Sequence, residues 1–421
     1  MGKIRLGVLG ATRGIDFALV AKKHGLQAEL TAVCDTFQPL LDKIRQELPE
    51  HGLDPECYTD FYEMLEKADI DAVVIANNAN NHAPYAIAAL NAGKHVLSEV
   101  LPVQTPAQAV ALVEAVEKSG KVYYYAENYC YFSGNLEAEL LYREGTIGEI
   151  IYAECDFVND LAARWHLLTR GRRNHWRNFI PSTFYCTHST SPLFFALQAH
   201  PVRVSGFEVP SQEFLRSHGA RCGTAATEMM LLANGVPIKS THGNLRRPWE
   251  TRLRLVGTKG CLESTNSRVT LWLENNEAEA RNPFKGEELP IRTIEGLSPE
   301  IRKDEVAMPL AIFLGVIRKD PVLSKLNIDV YQALDMALPG VMAYRSIMQG
   351  NIPVEIPDFR DTAIREKYRH DNMCTDPEVA SGEELLPSHS MGEIIIEDSV
   401  YEKEAEKAME SFRNKFKLGY I

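Results

Sequence analysis

A glycine-rich turn near the N-terminus is the first group of residues whose types and spacing suit a chemical task. An apolar run over residues 4–10 ends in Gly10, and the chain continues through Thr12 and Arg13 into a segment with helical spacing. A turn of this kind directs backbone N–H groups and the positive end of a helix dipole at a phosphate. The letters do not complete the fingerprint G-x-G-x-x-G, because Thr12 stands at its second glycine. The placement of the turn nevertheless predicts a pyrophosphate site formed by Gly7, Gly10, Thr12 and Arg13.

The end of the second apolar run carries an acid that bears on the choice of nucleotide. Asp35 directly follows residues 28–34. In a dinucleotide-binding unit, an acid at this point accepts hydrogen bonds from the ribose hydroxyls and repels a 2′-phosphate. Asp35 therefore favours NAD over NADP. Arg13 instead favours NADP, since a nearby arginine can bind a 2′-phosphate.

Apolar runs and amphipathic segments alternate through the first third of the chain, and these elements must position the turn. Such alternation predicts a parallel sheet wound by helices on both faces, a Rossmann dinucleotide-binding domain over residues 1–126. The predicted strands and helices follow one another as 4–10, 14–24, 28–35, 38–48, 71–76, 82–93, 95–100, 105–120 and 121–127.

The pattern changes after about residue 130, where strand-like runs of alternating polarity follow a helix over 135–148. A C-terminal α+β domain with a large mixed or antiparallel sheet is therefore predicted over 127–360, so the fold class is α/β. Residues 361–421 are rich in charge, with helical character over 399–416, and are interpreted as a tail or arm. The predicted strands of the second domain are 149–158, 202–209, 226–233, 251–258, 260–265 and 268–274.

Composition excludes several classes of protein. The chain of 421 residues has no apolar run of about 18 residues, so no membrane span is predicted. A formal net charge of −12 disfavours nucleic acid and anionic membranes as partners. The eight cysteines include no C-x-x-C pair, and the N-terminus has no signal-peptide apolar region. Both features indicate a cytoplasmic protein with reduced thiols.

A basic and aromatic stretch over residues 164–178 is a second group of residues that suits ligand binding. It contains five arginines, two histidines and two tryptophans. Aromatic rings stack on sugar faces and arginines bind carboxylate or sulfate groups, so His175, Trp176 and Arg177 are candidate substrate-binding residues. The alternative is an ion-paired loop at an oligomer interface. The spacing of the histidines in the chain matches no standard ligand set, so no metal site is predicted.

Residues 71–102, DAVVIANNANNHAPYAIAALNAGKHVLSEVLP, carry a more specific signal. They resemble the glucose-fructose oxidoreductase/inositol dehydrogenase (Gfo/Idh/MocA) family, which typically reads T-P-x-x-x-H…A-G-K-H-V-x-x-E-K-P there. Asn77 and Asn78 replace the usual Thr-Pro, and Val100 stands at the position of the family's catalytic lysine. The matching residues are His82, Gly93, Lys94, His95, Val96 and Glu99.

One branch of that family, the NAD-dependent glycoside hydrolases of the α-N-acetylgalactosaminidase type, also has a valine after the glutamate. The stretches AENYCY (126–131), EIIYAECDFVNDL (149–161) and TFYCTHSTSP (183–192) are similar to motifs of this branch. The resemblance covers nearly all of residues 1–360. It implies a Rossmann domain followed by an α+β domain, NAD as the cofactor, and a sugar or glycoside as the substrate. The third stretch departs from its motif at Cys186, Ser189 and Ser191.

The resemblance also indicates which side chains handle protons. An ordinary dehydrogenase of the family uses a lysine, an aspartate and a histidine, but Val100 and Phe184 occupy the first two positions here. Tyr185 and His188 are then the candidate catalytic residues, and they share one face if their segment is helical. Histidine titrates near neutrality, whereas tyrosine, with a usual pKa of about 10, needs a nearby cation to act as a base. The competing interpretation is a pair of core residues without a chemical role.

Polar residues near the predicted strand ends complete the candidate site. Glu99 and Asn128 are expected at the carboxyl edge of the parallel sheet, where they contact nicotinamide or a sugar hydroxyl, or cap the strand ends. Asn77 and His82 are assigned to the cofactor from their positions in the segment that resembles the family. Asp160 follows a predicted strand and either binds a sugar hydroxyl or caps a helix.

The mechanism implied by the resemblance oxidises a sugar at carbon 3, eliminates the glycosidic oxygen from carbon 1, adds water and returns the hydride. In that scheme, His188 handles the carbon 3 hydroxyl proton and Tyr185 serves the elimination. Two alternatives stay open, a simple NAD-dependent sugar or polyol dehydrogenase and a catalytically decayed nucleotide-binding protein. The sheets of the family's second domain commonly pair between subunits, so a homodimer or homotetramer is expected.

Overall fold

The computed structural model describes residues 2–274 and 284–415, and its N-terminal part is a six-stranded parallel sheet. The strands are β1 (Ile4–Leu9), β2 (Ala28–Cys34), β3 (Glu56–Tyr58), β4 (Ala72–Ile75), β5 (His95–Ser98) and β6 (Tyr123–Tyr125). They pair in the order β3-β2-β1-β4-β5-β6, and each neighbouring pair is parallel. All residues of β4 are apolar and buried, as a strand covered by helices on both faces requires.

Five helices connect these strands and have ends that follow from the local sequence. They are α1 (Ala11–Lys23), α2 (Gln38–Glu47), α3 (Phe61–Lys67), α4 (His82–Asn91) and α5 (Pro106–Ser119). The Thr105 side chain accepts a hydrogen bond from the Gln108 amide at the start of α5, and Gly120 ends this helix with a φ of 62°. The predicted Rossmann sheet and its helices are therefore confirmed.

The second part of the chain forms a nine-stranded mixed sheet. Its strands are β7 (Ile150–Val158), β8 (Pro201–Val209), β9 (Ala225–Leu232), β10 (Pro237–Gly243), β11 (Glu250–Gly257), β12 (Gly260–Ser264), β13 (Val269–Glu274), β14 (Phe284–Leu289) and β15 (Val354–Glu355). The order is β14-β13-β12-β11-β7-β10-β9-β8-β15. Strands β7 and β10 pair in parallel, and the other neighbours pair antiparallel. The prediction of a large mixed sheet is confirmed.

Nine helices accompany this sheet within the described residues. They are α6 (Ser133–Arg143), α7 (Trp165–Thr169), α8 (Thr187–Leu197), α9 (Glu213–Arg216), α10 (Pro299–Lys303), α11 (Ala307–Ile317), α12 (Val330–Met348), α13 (Thr362–Tyr368) and α14 (Asp398–Lys415). Helices α8 and α12 pack on strands of the sheet and on each other. A Cβ atom at Gly340 of α12 would lie 2.2 Å from the Thr183 carbonyl oxygen, so glycine lets the chain entering α8 pack directly on α12. Across 2–274 and 284–415, none of the helices has both the length and the apolarity that a membrane crossing requires.

Buried apolar side chains form one contiguous cluster that includes strands of both sheets. Tyr124 and Tyr125 of β6 and Phe313 of α11 are among its largest fully buried side chains. Protein interiors are close-packed, so such a shared core fixes the position of one sheet against the other. Side chains from the two sheets can therefore form one site with a defined geometry.

The C-terminal segment, residues 361–415, packs along the rest of the chain. Arg365 of α13 is ion-paired with Glu117 of α5 at 2.7 Å. Further along, the buried Asp376 carboxylate accepts a hydrogen bond from the Asn80 side-chain amide at 2.7 Å. The segment therefore runs across the N-terminal domain before α14 begins. Residues 416–421, the end of the predicted tail, lie outside the described residues.

Two predicted boundaries are wrong by several residues. The strand predicted over 95–100 ends at Ser98, and the helix predicted over 135–148 spans Ser133–Arg143. The helix ends early because the two glycines that follow it adopt left-handed φ values of 78° and 73° at Gly145 and Gly148.

The contact of Asp376 with the N-terminal domain should contribute to the stability of the protein. Asp376→Ala removes the acceptor of the Asn80 amide, which is left buried and unpaired. The Gln104 amide loses one acceptor at 3.2 Å and keeps the Asn80 carbonyl oxygen at 2.9 Å. We expect a loss of about 2–3 kcal/mol in the free energy of unfolding, measured by urea denaturation. The exposed neighbour Glu378→Ala serves as the control and should change stability little. Equal stability of the two variants would contradict a structural role for this contact.

Candidate functional site

The carboxyl ends of β1, β4 and β5 meet at one edge of the N-terminal sheet. Gly10 follows β1 with a φ of 87°. A Cβ atom at this position would lie 2.4 Å from the Ala76 carbonyl oxygen and the Asn77 nitrogen, so the turn needs glycine to pass the end of β4. Glu99 follows β5, and its amide donates to the Ile75 carbonyl at 2.8 Å. The structure thus brings Gly10, Asn77 and Glu99 together at this edge.

The first turn of α1 is braced by the predicted ribose-binding acid. Asp35 accepts hydrogen bonds from the Ala11 amide at 2.8 Å through Oδ2 and from the Phe37 amide at 2.8 Å through Oδ1. The next two amides of α1, those of Thr12 and Arg13, have no acceptor within residues 2–274 and 284–415. A helix N-terminus with free amides is suited to a phosphate group. The turn therefore fits the pyrophosphate of a dinucleotide, and Asp35 holds its shape.

Arg13 is engaged by carboxylates of its own domain. Its Nε donates to Glu99 Oε1 at 2.8 Å, and its Nη1 lies 3.4 Å from Asp16 Oδ2. Burial raises the pKa of Asp16, while the positive charge of Arg13 opposes that rise. Two carboxylates thus offset the charge of Arg13. The same contact ties the predicted cofactor residue Glu99 to the glycine turn.

The loop after β4 contains a buried histidine and a buried oxygen without a partner. The His82 ring nitrogens lie 3.0 Å from the Leu101 carbonyl oxygen and 3.2 Å from the Asn77 carbonyl oxygen. Burial lowers the pKa of His82, so the ring is neutral near pH 7 and holds the loop in place. The side-chain oxygen of Asn77 is buried and has no hydrogen-bond partner in the described part of the chain. A buried polar atom of this kind is satisfied when a ligand donates to it.

The second cluster is built on a buried pair of acid and histidine. His188, in the first turn of α8, has its Nδ1 atom 2.8 Å from Oε1 and 3.1 Å from Oε2 of Glu127. Glu127 follows β6 and is fully buried, and it also accepts a hydrogen bond from the Tyr129 amide at 3.2 Å. Sequence reasoning did not assign Glu127 to the site. The signal was present, because Glu127 belongs to the AENYCY stretch at 126–131.

Aromatic rings surround His188 and fix its orientation. The centroid of its ring lies 4.1 Å from that of Tyr129 and 4.8 Å from that of Phe157. Trp249 Nε1 donates to the Tyr129 hydroxyl at 2.8 Å, which holds that ring in turn. With Nδ1 bonded to Glu127 and both ring faces in contact, Nε2 is the ring nitrogen left for a reacting group.

Tyr185 is adjacent to His188, although the two do not share a helix. Helix α8 begins at Thr187, so Tyr185 lies in the turn before it, and the expectation of one helical face is wrong. The two rings nevertheless lie edge to face with centroids 5.0 Å apart. Burial raises the pKa of Tyr185, the charge of Arg177 opposes the rise, and Glu99 adds to it. The phenol is therefore protonated near neutral pH.

Three predicted substrate residues, His175, Trp176 and Arg177, lie beside Tyr185. The Trp176 ring stacks on His175 at 5.8 Å and on Tyr185 at 6.1 Å between centroids. The Arg177 guanidinium carbon lies 4.3 Å from the Trp176 ring centroid and 5.1 Å from that of Tyr185. Burial, together with the charges of Arg177, Arg172 and Arg170, lowers the pKa of His175 to about 3. The rings from His175 to His188 thus form a continuous, largely buried row with one cation beside it.

The remaining predicted residues make more local contacts. Gly7 lies inside β1, where a Cβ atom would be 3.0 Å from Ile70, so its role is close packing of the strand. Asn128 is half-buried in a 3-10 turn next to Glu127. Asp160 accepts a hydrogen bond from the Ala162 amide at 3.1 Å, two residues further along the chain.

The N-terminal domain is similar to a known protein family. Residues 4–127 match the oxidoreductase family with an NAD-binding Rossmann fold, GFO_IDH_MocA. The match confirms the resemblance found in the sequence, and the chain is an enzyme of the oxidoreductase fold.

Relatives that span most of the chain carry names of the glycosidase branch. The chain is 25% identical over 396 residues to the glycosyl hydrolase family 109 protein 2 of Phocaeicola vulgatus, which covers 85% of this chain and 94% of the relative. It is 27% identical over 369 residues to the alpha-N-acetylgalactosaminidase of Bacteroides fragilis, covering 79% and 86%. Among solved structures, levoglucosan dehydrogenase in complex with NADH and levoglucosan has the same fold, with a TM-score of 0.67 at 18% identity. The matched region covers 84% of this chain and 100% of the levoglucosan dehydrogenase chain.

The lowered pKa of His175 should make the free energy of unfolding depend on pH. Its pKa of about 3 in the folded protein lies below the usual value of about 6.5, so between these pH values only the unfolded chain binds the proton. The folded state therefore loses no stability through His175 above about pH 6.5, and it becomes progressively less stable relative to the unfolded chain as the pH falls toward 3. From pH 6.5 to 5, we expect His175 to account for a loss of about 2 kcal/mol in the free energy of unfolding.

Urea denaturation of the wild type and His175→Asn at pH 7.5 and pH 5 measures this effect. The variant should lose less stability between the two pH values than the wild type. The adjacent exposed Asn174→Ala, which changes no titratable group, should follow the wild type. Parallel pH dependence of all three proteins would refute the depressed pKa.

Proposed function

We propose that the protein is an NAD-dependent enzyme that cleaves a glycoside through transient oxidation of the sugar at carbon 3, followed by elimination and hydration. The observation that carries this proposal is the buried Glu127–His188 pair beside Tyr185, at a site where the family's lysine and aspartate positions are Val100 and Phe184. The names of the relatives that span most of the chain support the same reaction class.

The residues at the carboxyl edge of the N-terminal sheet fit the cofactor. The free amides of Thr12 and Arg13 would hold the pyrophosphate, and the buried oxygen of Asn77 offers an acceptor further along the same edge. Asp35 lies beside the turn and supports NAD over NADP, because a carboxylate repels a 2′-phosphate. Bound NAD supplies reversible acceptance of a hydride.

His188 is proposed as the base for the carbon 3 hydroxyl. With Glu127 ionised, the ring proton resides on Nδ1, and Nε2 is free to accept the hydroxyl proton. The resulting imidazolium is stabilised by the Glu127 carboxylate, which is buried and therefore weakly screened. The proton can return by the same route when the hydroxyl is restored.

Tyr185 is proposed to serve the elimination as a proton donor. Its phenol is protonated near neutral pH because burial raises the pKa above the ordinary value. The ketone at carbon 3 acidifies the carbon 2 proton, which passes to water as the C1–O bond breaks, while the Tyr185 phenol protonates the departing glycosidic oxygen. The nearby Arg177 stabilises the phenolate that remains until water returns a proton.

The aromatic row beside these two residues suits a sugar. Trp176 is buried against His175, Arg177 and Tyr185, so the ring offered to a sugar is that of the half-buried Tyr185. Arg177 adds a cation that can recognise a carboxylate or sulfate on the substrate. Asp160 is a candidate for a sugar hydroxyl, and one of its oxygens accepts from the Ala162 amide. We therefore propose a glycoside with at least one apolar ring face as the substrate class.

A homodimer or homotetramer is proposed for the assembled protein. One face of the nine-stranded sheet exposes large apolar side chains on neighbouring strands, and a second copy of the same sheet would cover them. These side chains are Phe207, Met229 and Leu231.

A variant of the proposed base separates chemistry from cofactor binding. His188→Ala removes the proton acceptor and should lower turnover at least about 100-fold while NAD still binds. Turnover is followed with the best glycoside of a nitrophenyl panel, and NAD binding is followed by calorimetry. Full activity of this variant would exclude His188 as the base.

The role of Glu127 is tested by Glu127→Gln, which preserves the shape of the side chain. Loss of the carboxylate removes the group that sets the His188 tautomer, and we expect turnover to fall about 100- to 10,000-fold. Glu144→Gln, at an exposed position of the same domain, is the matched control and should retain full turnover. Unchanged activity in Glu127→Gln would remove Glu127 from the mechanism.

A paired assay distinguishes the proposed reaction from the alternatives. Purified protein is mixed with nitrophenyl α- and β-glycosides and trace NAD, and nitrophenol release and NADH absorbance are followed together. Nitrophenol in large excess over NAD, without net NADH, is the expected result. Stoichiometric NADH with an intact glycoside would instead establish a simple dehydrogenase, and no reaction with any glycoside would favour the decayed protein.

A further inference from the structure

Arg170 reaches the glycine turn of the N-terminal domain from the second part of the chain. It directly follows α7 and has a φ of 52°, in the left-handed region that few residues other than glycine adopt. Its Nη2 donates to Thr12 Oγ1 at 2.9 Å. Its guanidinium carbon also lies 4.4 Å from the ring centroid of Phe37, two residues after Asp35. The guanidinium therefore spans the pyrophosphate turn and the chain that follows β2.

Arg170 differs from Arg13 in the carboxylates that offset its positive charge. Arg13 is paired with Glu99 and Asp16, so its charge is offset within its own domain. The Asp35 carboxylate attracts Arg170, but its two oxygens already accept from the amides of Ala11 and Phe37, and no carboxylate in the described residues forms an ion pair with the Arg170 guanidinium. The guanidinium of Arg170 thus stands next to the positive end of α1 and its free amides. Two like charges at this distance repel, and an anion between them stabilises both.

The C-terminal helix α14 holds the corner that carries Arg170. Gly171, with a φ of 64°, packs so closely on α14 that a Cβ atom would lie 2.1 Å from the Ala405 nitrogen. The Tyr401 hydroxyl donates to the Gly219 carbonyl at 3.0 Å and fastens the start of α14 to the second domain. At the other end of the helix, the Phe412 ring lies 5.4 Å from the Phe37 ring, edge to face. The helix therefore runs from the Arg170 corner to the chain after β2.

We propose that Arg170 binds the pyrophosphate of the dinucleotide and that α14 positions it, so that the cofactor is retained between turnovers. This inference rests on the proposed function, since a cycle that returns the hydride to the sugar has no need to exchange the cofactor. Arg170 is thus a cofactor ligand, whereas Gly171 and Phe412 are positioning residues. A guanidinium suits this task because it can donate two parallel hydrogen bonds to phosphate oxygens.

The pyrophosphate is favoured over a 2′-phosphate as the anion. Thr12, which Arg170 contacts, lies in the first turn of α1, where the free amides point to a pyrophosphate. The Asp35 carboxylate lies near Arg170, and a carboxylate at the end of the second strand repels a 2′-phosphate. ADP-ribose contains the pyrophosphate and lacks both the nicotinamide and the 2′-phosphate, so it is the appropriate probe.

The test compares Arg170→Gln with Arg172→Gln in the full-length chain. Both variants lose one positive charge in the same loop, but Arg172 is exposed. Calorimetry with ADP-ribose should show an affinity about 10- to 100-fold lower for Arg170→Gln and within about twofold of the wild type for Arg172→Gln. The melting temperature without ligand should fall only slightly, by the loss of the Thr12 hydrogen bond and the Phe37 contact, and the variant should stay fully folded at the temperature of the titration. Adenosine, which lacks the pyrophosphate, should bind both variants alike.

The role of α14 is tested by Phe412→Ala, which removes the contact with Phe37 and leaves Arg170 in place. Bound NAD should dissociate several-fold faster from this variant than from Arg172→Gln, as measured by competition with excess ADP-ribose in stopped flow. Wild-type ADP-ribose affinity in Arg170→Gln, or a fall in its ligand-free melting temperature that accounts for the weaker binding, would overturn the proposal. A selective loss of NADP binding would overturn the assignment to the pyrophosphate.

Failure of this inference is distinguishable from failure of the proposed function. If Arg170→Gln weakens ADP-ribose binding while no glycoside is cleaved by the wild type, the cofactor ligand stands and the glycosidase proposal fails. If glycosides are cleaved normally and Arg170→Gln binds ADP-ribose as tightly as the wild type, only the assignment of Arg170 is overturned.

Discussion

A fully buried carboxylate, that of Glu127, is the constraint on which the site depends. Moving an ion from water into a protein interior is costly unless hydrogen bonds replace its hydration, and His188 Nδ1 and the Tyr129 amide supply them. Glu127 follows the last strand of the N-terminal sheet, whereas His188 begins a helix that packs on the second sheet. The pair can form only when both sheets are in place. The requirement that stabilises Glu127 therefore also joins the two parts of the candidate site.

The helix that carries His188 is positioned by packing on all sides. Nearly every residue of α8 is buried, and the turn before it approaches α12 at Gly340 without intervening side-chain atoms. Tyr185 lies in that turn, so its contact with His188 depends on the packing of α8 against α12. The catalytic candidates are thus held by core contacts, which limits the freedom of their rings before a substrate binds.

Charge is distributed unevenly along the proposed cofactor site. Arg13 and Glu99 offset each other near the sheet edge, while Arg170 brings a cation to the glycine turn from a distant part of the chain. The difference arises from the partners, since the oxygens of Asp35 are used to brace α1. The C-terminal segment helps to position the residues around the glycine turn. It binds the N-terminal domain through Asp376 and then supports the Arg170 corner through α14.

The sequence by itself determined the Rossmann alternation, the glycine turn, the mixed second sheet and the family, because these follow from local periodicity and from motifs within short segments. It also named Tyr185, His188, Trp176 and Arg177, whose rings the structure brings into one row. Helix and strand ends were less accurate, since they depend on individual backbone angles such as those at Gly145 and Gly148.

Only the tertiary structure decided which partners these residues have. Glu127 pairs with a histidine 61 positions away, and Arg170 contacts a threonine 158 positions away. It also showed that Tyr185 precedes α8 and that Asp35 is occupied by backbone amides. The physical reason is that a local pattern fixes the face on which a side chain lies, whereas its partner, its burial and its protonation state are set by whatever the fold packs against that face.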